Sequence, residues 1–336
     1  MKRILALPFV VLLCLLALAA CGTTSADQKE KEGSGEQSDG GQPKVAALFT
    51  QFVDQGNWDV TGYQAYEDMC STYDFDCDYV EEASYERAPA LLRQYAQDGY
   101  AMVITHSSGY AAAIQEVAPE FPNTQFVLFS YATDTGGLKN FSAWSVDWDQ
   151  AGYLQGVIAG LSSKAGNISI VGGEQIPSTE RAMALAEKGA QSVNPQAKVS
   201  RVWTGTFVDV AKAKQVAAQA IDGGADFVIP MADLAGQGVH QAAEAAGALS
   251  LGEYMDENSK YPQAIVTSIT VDMAGAYDQI GAAYTNGELE GQIVQMDAQS
   301  GAFDFAPFHN VDAEVETAAR KVLDGLSDGS TKVPSV

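Results

Sequence analysis

The chain predicts a doubly wound α/β protein built on parallel sheets. Short apolar runs alternate with amphipathic helical segments from Lys44 onward, several of the runs are apolar at every position, and glycines close helical segments. Parallel strands are covered by helices on both faces, so they lose the polar alternation of a half-exposed strand. Strand and helix patterns alternating on a short period point to the same class.

Taken in order, the expected strands cover residues 45–51, 101–106, 125–131, 168–172, 199–204, 227–231, 250–255 and 265–271. Between them, Ala88, Leu91, Leu92 and Tyr95 fall on one helical face, and Leu154, Val157, Ile158 and Leu161 repeat that spacing. Val216, Ala217, Ala220 and Ile221 mark another helix, which Gly223-Gly224 should stop.

What precedes Lys44 does not belong to this pattern. Lys2 and Arg3 open a leader, residues 4–18 are almost unbroken apolar, and Leu18-Ala19-Ala20-Cys21-Gly22 follows. That is the layout of a secretory signal, and its end resembles a bacterial lipobox, in which the cysteine is acylated. Residues 1–20 are therefore expected to be removed and Cys21 to carry lipid. The other readings are an ordinary signal peptide ending at a cysteine, or an uncleaved anchor, for which the run is short. Residues 22–43 hold no aromatic or large apolar side chain. With Cys21 they read as a flexible tether (21–43), because such a composition cannot bury enough surface to order itself.

Charge and cysteines narrow the function. The formal net charge is -24, and loss of Lys2 and Arg3 makes it more negative. Such a chain does not hold a nucleic acid by counterion release, and its membrane contact must come through the anchor. With Cys14 in the leader and Cys21 lipidated, Cys70 and Cys77 remain. In an exported protein they are expected to form a local disulfide, two free thiols being the other reading.

Enzyme signatures are absent. There is no G-x-S-x-G elbow, Walker loop or G-x-G-x-x-G after a strand. His240 and Glu244 form a lone i, i+4 pair, read as a solvated helix face rather than a metal site. Asp74, Asp76 and Asp78 imitate a calcium loop, but Tyr79 and Tyr85 occupy its glycine and glutamate positions. No catalytic residue, metal or cofactor is expected.

Ligands of doubly wound proteins sit beyond the carboxyl ends of the strands, so the post-strand loops matter most. They contain Asp54-Gln55-Gly56-Asn57-Trp58-Asp59, His106-Ser107-Ser108, Gly205-Thr206-Phe207, Ala232-Asp233 and Gly252-Glu253-Tyr254-Met255-Asp256. Aromatics and a few carboxylates on one cleft suit a flat ring that donates hydrogen bonds. For Trp58 the other reading is a ring shielded by its neighbours.

Together these segments resemble the basic membrane protein family of ABC-transporter solute-binding lipoproteins, which includes purine nucleoside receptors. The resemblance covers roughly residues 44–291. It is carried by Gly152-Tyr153-Leu154-Gln155-Gly156-Val157-Ile158-Ala159-Gly160, by Val171-Gly172-Gly173 with Ile176-Pro177, by Gly189-Ala190-Gln191-Ser192-Val193-Asn194-Pro195, by Gly56-Asn57-Trp58 and by Thr267-Ser268.

The resemblance implies a type I periplasmic-binding fold: two doubly wound α/β lobes, a multi-segment hinge, and ligand buried between them. The expected division is 44–160 for the first lobe, 161–270 for the second and 271–336 for a return segment completing both. Trp58 then looks like the first-lobe aromatic that stacks on a base, Phe207 like its second-lobe counterpart, and Asp256 like the acid that accepts from ribose hydroxyls. Ser108 and Asp233 fall in loops that line the pocket.

Two positions depart from nucleoside binders. Thr270-Val271-Asp272 stands where a lysine is common, and Tyr254-Met255-Asp256 where Asp-Ser-Asp is usual. Both departures weaken ribose recognition, so the expected ligand is a purine, as base or nucleoside. The implied partners are that small molecule, an ABC permease and, through the anchor, the outer face of the cytoplasmic membrane; a riboflavin-like ligand, a sugar or a peptide is the runner-up, and an exported enzyme of the nucleoside hydrolase type the second alternative.

Overall fold

Apolar runs become strands where both faces can be covered, and here two sheets are covered in this way. The computed structural model describes residues 41–336; the leader, Cys21 and most of the tether lie outside the described residues. The strands are β1 (Lys44–Leu48), β2 (Asp76–Val80), β3 (Met102–Thr105), β4 (Gln125–Ser130), β5 (Phe141–Val146), β6 (Asn167–Gly172), β7 (Lys198–Trp203), β8 (Phe227–Met231), β9 (Leu249–Tyr254), β10 (Ile265–Val271), β11 (Ile293–Met296) and β12 (Phe303–Phe305). The helices are α1 (Trp58–Thr72), α2 (Ala88–Gln97), α3 (Ala111–Val117), α4 (Trp148–Ser162), α5 (Pro177–Val193), α6 (Val210–Asp222), α7 (Gly236–Ala246), α8 (Met273–Thr285) and α9 (Ala313–Ser327).

The first sheet has the order β11-β5-β4-β3-β1-β2 and the second β12-β10-β9-β8-β6-β7. All pairings are parallel except that of β12 with β10. Central strands such as β3 and β8 are buried at every residue, as their largely apolar sequences require. The expected α/β class is what the chain forms.

Strands β2, β5, β11 and β12 were absent from the expected set. β2 is an edge strand, mostly open to solvent and carrying Asp76 and Asp78, so it lacks an apolar signature. β5 is fully buried, but Ser142 and Ser145 interrupt its apolar run. Those hydroxyls are satisfied inside: Ser145 Oγ accepts from Ala132 N and Ser142 Oγ from Gly291 N. β11 and β12 are simply short.

The chain passes between the sheets from β5 through α4 to β6, from β10 through α8 to β11, and from β11 to β12. The first passage explains the glycine repeat of α4. A Cβ on Gly152, Gly156 or Gly160 would strike the backbone of Ala182, Ala186 or Ala190 on α5. Small residues at one helical spacing thus let two helix backbones touch. Near the end of α1, Cys70 is joined to Cys77 on β2 by a disulfide.

Candidate functional site

The two sheets place the carboxyl ends of their strands around one cavity, with about 660 Å³ of space not filled by protein atoms, part of it open to solvent. From the first sheet come Thr50 and Gln51 after β1, Trp58 opening α1, Ser107 after β3, Ser130 ending β4 and Trp148 opening α4. From the second come Ser178 and Thr179 on α5, Phe207 after β7, Asp233 after β8, and Glu253 and Tyr254 ending β9.

Aromatic rings form one wall. Trp58 is buried; its Nε1–H donates to the His106 carbonyl at 2.9 Å, and its ring stacks on the His106 imidazole with centroids 4.4 Å apart. Tyr254 meets Trp58 edge-on at 5.2 Å, and Trp148 lies tilted to it at 5.3 Å. Edge-to-face and offset contacts of this kind rigidify the wall. Trp58 is therefore both shielded by neighbours and part of the cavity lining.

His106 holds that wall from behind. Its Nε2 donates to the Trp58 carbonyl at 3.1 Å, which assigns the proton to Nε2 and leaves Nδ1 to accept from the Tyr277 hydroxyl at 2.8 Å. Complete burial lowers its pKa to about 3, so the ring is neutral.

Asp233 reaches across the cleft. Its Oδ1 accepts from the backbone N–H groups of Asn57 and Trp58 at 2.9 and 3.0 Å, and its Oδ2 from Gln51 Nε2 at 2.6 Å. The carboxylate thus caps the N-terminus of α1 from the other sheet, where an anion suits the helix dipole. Gly56 makes room: its φ is +78°, and a Cβ there would stand 3.0 Å from Asp233 Oδ1. Burial pushes the Asp233 carboxyl up, while the bonds from Trp58, Asn57 and Gln51 pull it down.

Other carboxyls are buried nearby. Glu253 accepts from Gln155 Nε2 at 2.9 Å, and burial raises it well above the ordinary glutamate value. Asp59 accepts from Thr50 Oγ1 and Gln51 N, both at 2.8 Å, and burial followed by the charge of Asp233 raises it strongly. Among the described residues, Gln51 Oε1 and Trp148 Nε1 are buried without a hydrogen-bond partner. Both belong to cavity-lining side chains.

The residues singled out from the sequence divide accordingly. Trp58, Phe207 and Asp233 line the cavity. Ser108 stands beside it, its Oγ 3.4 Å from Ser178 Oγ of the second sheet's α5, and Ser107 takes the lining position. Asp256 is exposed, its carboxylate accepting from Asn258 N at 2.9 Å, and it does not line the cavity. The reason is local: Tyr254 has φ +69°, and this left-handed turn carries the chain away just past β9. Glu253 and Tyr254 face inward instead.

Trp148, Gln51 and Gln155 carried no sequence signal as lining residues; Trp148 lies on a helix start that periodicity does not distinguish from core. His240 is not on a solvated face. It is buried, stacks on Tyr261 with centroids 5.0 Å apart, and pairs Nδ1 with Ser250 Oγ at 3.0 Å. The helical pattern alone did not reveal that β9 and the 257–261 segment cover it.

Comparison with known proteins bears on this site. A purine-binding protein of Brucella abortus is 27% identical over 249 residues, covering 74% of this chain and 69% of that protein. The ABC transporter nucleoside-binding protein BmpA of Lactococcus lactis is 25% identical over 257 residues, covering 71% and 72%. A solved ABC transporter solute-binding protein from Conexibacter woesei superposes with a TM-score of 0.68 at 23% identity, over 87% of this chain and 98% of that one. That likeness establishes the periplasmic-binding type of fold. Residues 42–331 match the Bmp family, described as ABC transporter substrate-binding protein PnrA-like, and the chain belongs to that family of solute-binding proteins.

Proposed function

We propose that this substrate-binding protein captures a purine, as free base or nucleoside, between its two lobes and delivers it to an ABC import permease. The observation that carries the reading is a cavity walled by Trp58, Trp148 and Tyr254 that also holds the unpartnered Gln51 Oε1 and Trp148 Nε1. A purine brings a flat face for the rings and an edge that both donates and accepts. A buried polar atom left unmet costs about 1–3 kcal/mol, which such an edge recovers. The purine-binding relative supports the same choice.

The ribose is the open element of this reading. Asp272, at the end of the segment where nucleoside binders commonly carry a lysine, caps α8 by accepting from Gly275 N at 2.9 Å. Asp256 points to solvent. These placements favour the base as the recognised group.

In this scheme the lobes rotate about their connecting segments, bury the ligand and present a closed surface to the permease. No bond is made or broken. Substrate-binding proteins of ABC transporters work outside the cytoplasm, and we assign the attachment to lipid on Cys21 after removal of residues 1–20.

The test is to purify the protein natively, identify any bound small molecule by mass spectrometry, and titrate the stripped protein with adenine, adenosine, guanosine, riboflavin and D-glucose by calorimetry. Binding of a purine and of neither rival is expected. Binding of riboflavin or glucose alone would replace the ligand assignment.

A further inference from the structure

We infer that Asp233 is the positioning residue of the cleft: from the second sheet, its carboxylate sets both the Gln51 amide and the Trp58 end of α1, and it does so only when the lobes are together. The inference rests on ligand entering the cavity described above, but not on which ligand that is.

Every donor to the Asp233 carboxylate belongs to the other sheet's loop: Gln51 Nε2, Asn57 N and Trp58 N. An open cleft breaks these three bonds together. The carboxylate is buried, and Asp233 has φ +46°, a left-handed conformation unfavourable for an aspartate outside a special context. Gly56 supplies the matching concavity. A residue that merely lined the pocket would need none of these.

The consequence for recognition follows from the amide. A carboxylate accepts only, so it fixes Gln51 with Nε2 toward Asp233 and Oε1 as the free end. That free end is one of the buried atoms without a partner among the described residues. The cleft therefore presents an acceptor at Gln51 and selects ligands that donate there, such as an exocyclic amine or a ring N–H. Lys260 Nζ, donating to Asn57 Oδ1 at 3.2 Å, ties the same loop across the cleft from a second point.

The experiment has an arm without ligand and an arm with it. Spin labels on exposed helix positions of the two lobes report the interlobe distance distribution of the stripped protein by pulsed electron resonance. Asp233→Asn is expected to shift the distribution toward the open form, and Gly56→Ala, which crowds the same carboxylate from the opposite side, to shift it likewise. In the second arm, adenine and adenosine are followed by stopped flow. Asp233→Asn should raise koff about tenfold or more, the scale of hydrogen bonds to a charged group, with kon changing far less.

Gln51→Ala should remove the share of the Asp233→Asn koff effect that the Gln51 amide carries, leaving in the double variant the share of the Asn57 and Trp58 N–H groups. Unchanged distances in both single variants would overturn the latch, as would a koff effect fully additive with Gln51→Ala. Should neither purine bind the wild-type protein, the ligand assignment falls while the distance arm still decides the role of Asp233.

Discussion

Gly156 of α4 and Ala186 of α5 stand backbone against backbone: a Cβ on Gly156 would lie 1.9 Å from the Ala186 carbonyl oxygen. The contact repeats one turn away, where a Cβ on Gly152 would lie 2.2 Å from Ala182 O. Because α4 leaves the first sheet and α5 follows the first strand of the second, this stripe fixes how one sheet's helices meet the other's.

Gly156→Ala should therefore destabilise the protein by about 1–3 kcal/mol, the usual cost of overpacking, and more if the helices must separate. Urea denaturation followed by circular dichroism measures it. A midpoint equal to wild type would mean that the helices have room the structure does not give them.

His106 sets a pH dependence. In the unfolded chain its imidazole takes up a proton near the ordinary value of 6.5, in the folded protein only near 3. The unfolded state then binds more protons in that window, so the stability contributed by His106 is lost as pH falls through it. Nuclear magnetic resonance of the His106 ring should show no titration midpoint above about 5, against about 6.5 for a free histidine.

Glu253 acts in the opposite sense. Burial raises its carboxyl, so its protonated form is favoured by folding and that contribution is lost as pH rises through the raised value. Glu253→Gln keeps an oxygen for the Gln155 amide and removes the buried charge. Its thermal midpoint at pH 7 should rise, by the equivalent of about 1 kcal/mol. The gain should shrink as pH falls toward 4.5, the ordinary glutamate value. A gain that is independent of pH would point to packing instead.

The proposed contacts separate by substitution. Trp58→Ala should weaken purine binding by about 1–3 kcal/mol. Trp148→Phe, which keeps a ring but removes the N–H, should weaken it by about 1 kcal/mol. Asp256→Ala should leave affinity within about twofold, as expected of an exposed carboxylate. Calorimetry with the identified purine decides; a large loss at Asp256 with none at Trp148 would reverse the site as drawn.

The anchor proposed at Cys21 is separable from binding. Cys21→Ala should release the protein from the membrane fraction, impair uptake and leave the ligand affinity of the isolated protein unchanged, because a tether raises only the local concentration at the permease. Lost affinity in the purified variant would contradict that division.

Much of the fold was legible beforehand because the signal is local. A buried parallel strand is apolar over most of its length, and β3, β4 and β8 are; a helix against a sheet must repeat every three to four residues, and α2 and α4 do. The strands that escaped notice are those where another feature overrode the pattern: charge on the open edge strand β2, satisfied serines in β5, and brevity in β11 and β12. The glycine repeat of α4 was visible as a motif, but its meaning required α5 beside it.

The site was legible only as a set of loops. The sequence by itself determined the α/β class, the post-strand loops and the resemblance to solute-binding lipoproteins, since each depends on neighbours within a few turns of chain. Only the tertiary structure decided which loop residues face the cavity. The left-handed turn at Tyr254 exchanged Asp256 for Glu253 and Tyr254. Asp233 proved to be bonded to Gln51, 182 residues away. Such roles are set by bonds between distant segments, and a hydrogen bond carries no trace in the local pattern of either partner.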